Sequence, residues 1–297
     1  MSEMRSILTA TDLSGASRHA ADRAARLAQA NGAQLTLVHA LVDTALDDLR
    51  RLIGDGDQAR SLVERDARDR LHAQAVQLGR RHDLSITEQV AIGNPVQELA
   101  RLADAIDADL LVTGTRGAGF FRGVVTGSTA ERVARRSARP VLMVRQAAHE
   151  PYRRVLVPVD FSPWSAASIE LARVVAPGAQ MVLMHAVELP FEGRLRMVAS
   201  ESQIARYRDT ATSEAKRRLD EFGATAGLRE DWLAITASEG ADPWMQIVQQ
   251  ELEQDCDLIV IGKHGRHVLE EQLLGSTTRM VIAEGSADVL VSTRRTS

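Results

Sequence analysis

Two stretches of the chain, "GTRGAGFFRGVVTGST" (Gly114 to Thr129) and "GKHGRHVLEEQLLGST" (Gly262 to Thr277), space three glycines identically, Gly-x2-Gly-x9-Gly, and then close on Ser-Thr. Each follows an apolar run, "LLVTG" or "LIVIG", and each leads into a segment that reads as a helix, "AERVARR" or "TRMVIAE". Glycine turns with positive φ and lets a ligand come close to the main chain. A helix start offers unpaired N–H groups and the positive end of the helix dipole, a natural seat for an anion. Gly114, Gly117, Gly127, Ser128 and Thr129, with Gly262, Gly265, Gly275, Ser276 and Thr277, therefore read as two phosphate cradles. The competing reading is that the glycines only make turns, and recurrence at one spacing between strand and helix weighs against it. The motif has no P-loop lysine and is not Gly-x-Gly-x-x-Gly.

Asp12 in "TATDLS" and Asp160 in "PVDFS" end a first strand at the rim where the cradles lie. Each carboxylate accepts hydrogen bonds, from ribose hydroxyls or an adenine amine in one reading, from a helix N-terminus as a cap in the other. Arg116 and Arg122 offer cations to phosphates in copy one, whereas copy two sets Lys263, His264, Arg266 and His267 beside Glu270 and Glu271. Like charge disfavours phosphate unless a metal intervenes, so copy one is expected to bind more tightly. His264 and His267, at i and i+3, lack a third ligand of fitting spacing and read as surface histidines rather than a zinc site. His39 and His185 end equivalent strands and read as structural or pocket-lining. No Ser-His-Asp trio can be assembled. Cys256 reads as a small, partly buried side chain. Phe120 and Phe121 read as covering a ligand, touching a partner or packing. "ERVARRSAR" reads as a solvated helix face.

The elements that must position these residues come in two copies. Asp12 and Asp160, Pro95 and Pro243, Gly114 and Gly262, and Val141 and Val289 are each 148 apart, and "GAQLTLVHA" matches "GAQMVLMHA" at 146. A repeat of this length is a duplicated domain, over 1–147 and 152–297, joined near Gln146 to Arg153. Apolar runs predict strands at Ser6–Ala10, Leu35–Ala40, Ile86–Ile92, Leu110–Gly114 and Val141–Arg145. In copy two they predict Val155–Val159, Met181–Val187, Trp232–Thr236, Leu258–Gly262 and Val289–Thr293. Val, Ile and Leu fill them, as in strands covered on both faces of a parallel sheet. Ser162-Pro163 marks a helix start, and Ile204, Tyr207, Ala211, Ala215, Leu219 and Phe222 form one helical face. Alternation of strand and helix predicts an open, doubly wound α/β sheet in each copy, with ligands beyond the carboxyl ends of the strands.

The 36 basic and 40 acidic residues of this 297-residue chain give a formal net charge of −4, so no global attraction to nucleic acid or an anionic membrane is expected. One cysteine permits no intramolecular disulfide. No membrane-length apolar run or signal-peptide core is evident. A cytoplasmic protein is expected.

"PVDFS" after a first strand, "LVHA" or "LMHA" ending a second, and Gly-x2-Gly-x9-Gly-Ser together resemble the universal stress protein family, over nearly the whole chain as two tandem domains. The resemblance implies two Rossmann-like (adenine nucleotide α-hydrolase-like) domains, each a five-stranded parallel sheet of order 3-2-1-4-5 with helices on both faces. It implies ATP, alone or with magnesium, dimerisation through fifth strands, and a role in stress survival. Carried over by position, Thr11 and Asp12 meet the adenosine part, Ala40 offers backbone to adenine, and Thr113 lines the pocket. Gly114, Gly117, Gly127, Ser128 and Thr129 hold phosphates. The copy-two equivalents are Val159, Asp160, Ala186, Ile261, Gly262, Gly265, Gly275, Ser276 and Thr277.

The leading expectation is a nucleotide-binding sensor or regulator of the stress response. The alternatives are a slow ATPase or nucleotidyl-transferring enzyme, for which no general base is evident beside the cradle, and a partner-binding module without nucleotide. The two copies are expected to pack as a pseudo-dimer, because a bare fifth strand is an edge to be covered; pairing of two chains stays open.

Overall fold

A computed structural model describes residues 4–42, 56–115, 129–187, 199–228, 232–237, 242–265 and 273–293. The chain divides into two compact units, residues 1–151 and 152–297. Unit 1 runs β1 (Ser6–Thr11), α1 (Gly15–Asn31), β2 (Gln34–Leu41), α2 (Gly56–His82), β3 (Ile86–Ile92), α3 (Pro95–Ala105), β4 (Leu110–Gly114), α4 (Thr129–Arg136) and β5 (Val141–Val144). Unit 2 runs β6 (Arg154–Pro158), α5 (Pro163–Val175), β7 (Gln180–Ala186), α6 (Glu201–Thr225), β8 (Leu233–Ala237), α7 (Pro243–Glu253), β9 (Leu258–Gly262), α8 (Ser276–Glu284) and β10 (Asp288–Ser292).

Within unit 1 the strand order is β3-β2-β1-β4-β5, and within unit 2 it is β8-β7-β6-β9-β10. The neighbouring strands run parallel, with Ser6 opposite Gln34 in one unit and Arg154 opposite Gln180 in the other. This is the doubly wound α/β arrangement expected, with helices on both faces of each sheet. Every residue of β5, β9 and β10 is buried, which is why β5, β9 and the middle of β10 read as apolar runs. β3 and β8, which stand first in these orders, keep exposed or half-buried positions. Alanines at 20, 21, 24, 25 and 28 form the buried face of α1 and bring that helix close to its sheet.

The units repeat one another in detail. The Asp109 carboxylate accepts from the amides of Arg5 and Ser6, and Asp257 accepts from those of Arg153 and Arg154, tying the start of the first strand to the fourth in both. Leu13 and Phe161 both adopt left-handed backbone, φ 63° and 60°, directly after the rim aspartates. The junction is fastened on both sides. Arg23 and Arg26 of α1 donate to the carbonyls of Glu150 and Ala148, at 2.9 and 2.8 Å. Tyr152 donates its hydroxyl to the buried Asp288 carboxylate at 2.7 Å.

Candidate functional site

The rim of unit 2 holds a cavity of about 710 Å³, in the size range of small-molecule sites. Val159, Asp160, Ala186, Ile261, Gly262, Gly265, Gly275, Ser276 and Thr277 all line it, so one hollow gathers the whole copy-two set that the family resemblance implies. They come from the carboxyl ends of β6, β7 and β9 and from the first turn of α8, as an open parallel sheet arranges its ligand crevice.

The three glycines do different things. A β-carbon on Gly262 would lie 2.9 Å from Cβ of Trp164 and 3.1 Å from the His264 carbonyl, so this glycine is required by packing against α5. Gly265 and Gly275 have no such constraint. Neither has a positive φ, and an added Cβ would come no nearer than 3.4 Å to Asp160 Oδ2 and 3.5 Å to the Lys263 carbonyl, respectively. Neither turn geometry nor crowding calls for glycine at these two positions. What a side chain would take is cavity space beside exposed main chain. Gly275 is also the N-cap of α8, and no side chain caps the helix. Its first-turn amides thus face the hollow with the dipole behind them.

Asp160 is preorganised. Its Oδ1 accepts from the Ser162 amide at 3.0 Å, from the Ser162 hydroxyl at 2.5 Å and from the Ser165 hydroxyl at 2.6 Å. The expected N-cap Ser162 does begin α5, yet its hydroxyl turns to Asp160 instead of a helix amide. Asp12 accepts from the Ser14 amide at 3.0 Å, and Ser14 itself caps α1 through Ser17. Neither aspartate is the helix cap; each shapes the turn that precedes it.

His39 and His185 perform one structural task. Their Nδ1 atoms lie 2.8 Å from the Thr11 carbonyl and 2.6 Å from the Val159 carbonyl. A carbonyl only accepts, so Nδ1 carries the hydrogen and the ring pins the backbone just before each rim aspartate. His264, expected at the surface, is instead buried, because its ring packs edge-on against Trp164 with centroids 5.0 Å apart. Among the described residues no group of three or more His, Cys, Asp or Glu could hold a metal. Cys256 is buried, and that burial pushes its thiol up to about 12.

In unit 1, Thr11, Asp12, Ala40, Thr113 and Gly114 lie at the same rim, at the ends of β1, β2 and β4, and Thr129 opens α4. Thr11 is buried, its hydroxyl 3.0 Å from that of Ser17 and 3.1 Å from the Gln74 side-chain oxygen. Arg116, Gly117, Gly127, Ser128, Phe120, Phe121 and Arg122 lie outside the described residues, as do Arg266, His267, Glu270 and Glu271 in unit 2. Arg132, Arg135 and Arg136 are exposed on α4, with Arg135 paired to Glu131 at 3.4 Å.

Several residues of the unit-2 site escape the sequence reading. Trp164 and Thr278 line the cavity, and the Thr278 hydroxyl donates to the Gly262 carbonyl at 2.8 Å, tying α8 to β9. Copy one has Ala16 and Ala130 at these places, so the repeat gave no signal for them. Glu214 and Arg218 enter from α6, a helix distant in sequence from every motif.

The sequence profile of the universal stress protein family matches residues 3–145 and again residues 151–293. The chain belongs to the universal stress protein family. Relatives in that family include a universal stress protein of Mycobacterium tuberculosis, 27% identical over 70% of this chain and 65% of that one. The chain thus spans about two thirds of the length of that relative. A universal stress protein of Mycolicibacterium smegmatis is 25% identical over 96% of each chain. Among solved structures, a universal stress protein from Archaeoglobus fulgidus shares the fold with a TM-score of 0.69 at 21% identity, over 99% of this chain and 97% of that one. Another family member was solved in complex with cAMP; it is 30% identical over 48% of this chain and 98% of its own, with a TM-score of 0.35. No helix among the described residues is long and apolar enough to cross a membrane.

Proposed function

We propose that the chain binds an adenine nucleotide, ATP, at the rim of each unit and acts in the stress response as a sensor or regulator whose state follows occupancy. The observation that carries this reading is the pair Gly265 and Gly275. They leave main-chain amides open to a cavity of about 710 Å³ where neither turn geometry nor packing demands glycine. The uncapped start of α8 supplies the anion seat, and Asp160, fixed by two serines, stands one strand away as an acceptor for the sugar or base. Unit 1 places Asp12, Ala40, Thr113 and Gly114 at the equivalent strand ends. Ligand-dependent change then follows from any difference in affinity between two states of the rim.

Titration calorimetry with ATP, with and without magnesium, tests the reading. Gly275→Val puts methyl groups into the cavity and is expected to abolish binding at unit 2 while the protein stays folded. Binding that survives undiminished in that variant would refute the cradle. Mass analysis of denatured, freshly purified protein gives an independent reading, with co-purified ATP expected.

A further inference from the structure

The repeat holds a second matched pair that the phosphate cradle leaves unused. Asp66 and Arg70 of α2 precede Glu214 and Arg218 of α6 by 148 positions (214 − 66 and 218 − 70). The buried Ala67 and Leu71 match the buried Ala215 and Leu219 at the same offset, so the register is structural. In α2 the pair closes on itself, with Arg70 3.6 Å from Asp66. In α6 the partners differ. Glu214 is held by Arg217 at 2.7 Å, and the Arg218 guanidinium lies 4.4 Å above the centre of the Phe161 ring. Both Glu214 and Arg218 line the unit-2 cavity.

Phe161 makes this placement informative. It follows Asp160 directly, and its left-handed backbone, φ 60°, is unfavourable for a residue with a side chain. Its ring packs on His185, with centroids 4.6 Å apart, and edge-on against Phe222 at 5.8 Å. Arg218 therefore rests on a ring that belongs to the rim itself. A guanidinium stacked on an aromatic face keeps its in-plane N–H groups available to donate.

The strand order places this wall. The glycine loop follows β9, on one side of β6, and α6 follows β7, on the other. With neighbouring strands about 4.8 Å apart, β9 and β7, which lead into the two walls, lie about 10 Å from one another across β6. Phosphates seated on the glycine wall direct the remainder of a nucleotide toward α6.

Resting on the nucleotide reading, we propose that Arg218 determines the ligand specificity of unit 2 by donating to acceptor atoms of the nucleoside, purine nitrogens or ribose oxygens, rather than to phosphate. Glu214 beside it accepts from the same end. This makes unit 2 a reader of whole nucleosides and not of polyphosphate alone.

Tryptophan fluorescence tests it in the full chain. The three tryptophans, Trp164, Trp232 and Trp244, all lie in unit 2, and Trp164 lines the cavity, so the signal reports that site while unit 1 is intact. The wild type, Arg218→Met and Phe161→Leu are titrated with ATP and with inorganic tripolyphosphate. Methionine keeps packing on the Phe161 ring but has no N–H to give. Arg218→Met is expected to weaken ATP about tenfold or more, the loss of a charge-assisted hydrogen bond, and to leave tripolyphosphate affinity unchanged. Phe161→Leu, which installs the copy-one residue, is expected to weaken ATP as well. Unchanged ATP affinity in Arg218→Met overturns the proposal, even if Phe161→Leu loses binding, because packing alone then accounts for the wall. Equal weakening of ATP and tripolyphosphate also overturns it, since the guanidinium then holds phosphate. A wild type that responds to neither ligand overturns the cradle together with this inference.

Discussion

At the scale of single residues, the ruler glycines of unit 2 separate into one that packing needs and two that it does not. Gly262→Ala drives a methyl to 2.9 Å from Trp164 Cβ, and overpacking of this kind costs about 1–3 kcal/mol. Its urea midpoint is expected to fall, whereas that of Gly275→Ala should fall less, since its new methyl makes only ordinary contacts. A chemical contrast is available at Cys256. With its thiol held up to about 12 by burial, Cys256 stays protonated near neutral pH. Ellman's reagent is expected to leave it unmodified in the native protein and to titrate one thiol per chain in urea. Rapid labelling of native protein would show that Cys256 is accessible as a thiolate.

At the scale of elements, α1 and α2 are joined by a charged cluster. Asp22 of α1 accepts from His82 Nε2 at 2.8 Å and from Arg81 at 3.0 Å, and His82 is buried. Burial by itself raises the Asp22 carboxyl, but the hydrogen bond from His82 and the Arg81 guanidinium outweigh it and hold the group below its ordinary 3.8. A carboxyl depressed in the folded state stabilises fully above its unfolded value and loses that contribution as pH falls through the folded one. Asp22→Ala is expected to cost about 1–3 kcal/mol at neutral pH, because His82 loses its acceptor. Its stability curve should also be flatter than the wild type's below about pH 4; parallel acid limbs would count against the cluster.

The elements also show what the sequence could tell. β3, β4 and β9 begin and end at the residues their apolar runs mark. β6, β7, β8 and β10 each start and stop one residue early or late, where a polar residue such as Arg154 or Asp288 continues the ladder. The positions of the glycines and rim aspartates were legible because they stand at or just beyond a strand end or at a helix start, which spacing records. Trp164, Arg218 and the buried state of His264 were not. They reach the cavity through the way α5 and α6 lie on the sheet, and no periodicity encodes which side chain of a helix will meet a loop from another strand.

At the scale of the whole molecule, the repeated rims predict two nucleotides per chain. Calorimetric stoichiometry is expected to be two for the wild type and one for Gly275→Val. Copy one, with Arg116 and Arg122 in its loop and no Glu270 or Glu271 counterpart, is expected to be the tighter site and to remain in that variant. A single site in the wild type would leave one rim serving another purpose.

The junction has its own consequence for anyone who wishes to divide the molecule. Glu150 and Ala148 are strapped to α1 by two arginines, and Tyr152 is moored to β10 through its phenol, with Pro151 between the two fastenings. A gene split one codon too early takes Glu150 from the guanidinium that grips it, and one codon too late takes from Asp288 the hydroxyl that donates to it. The seam is a single proline wide.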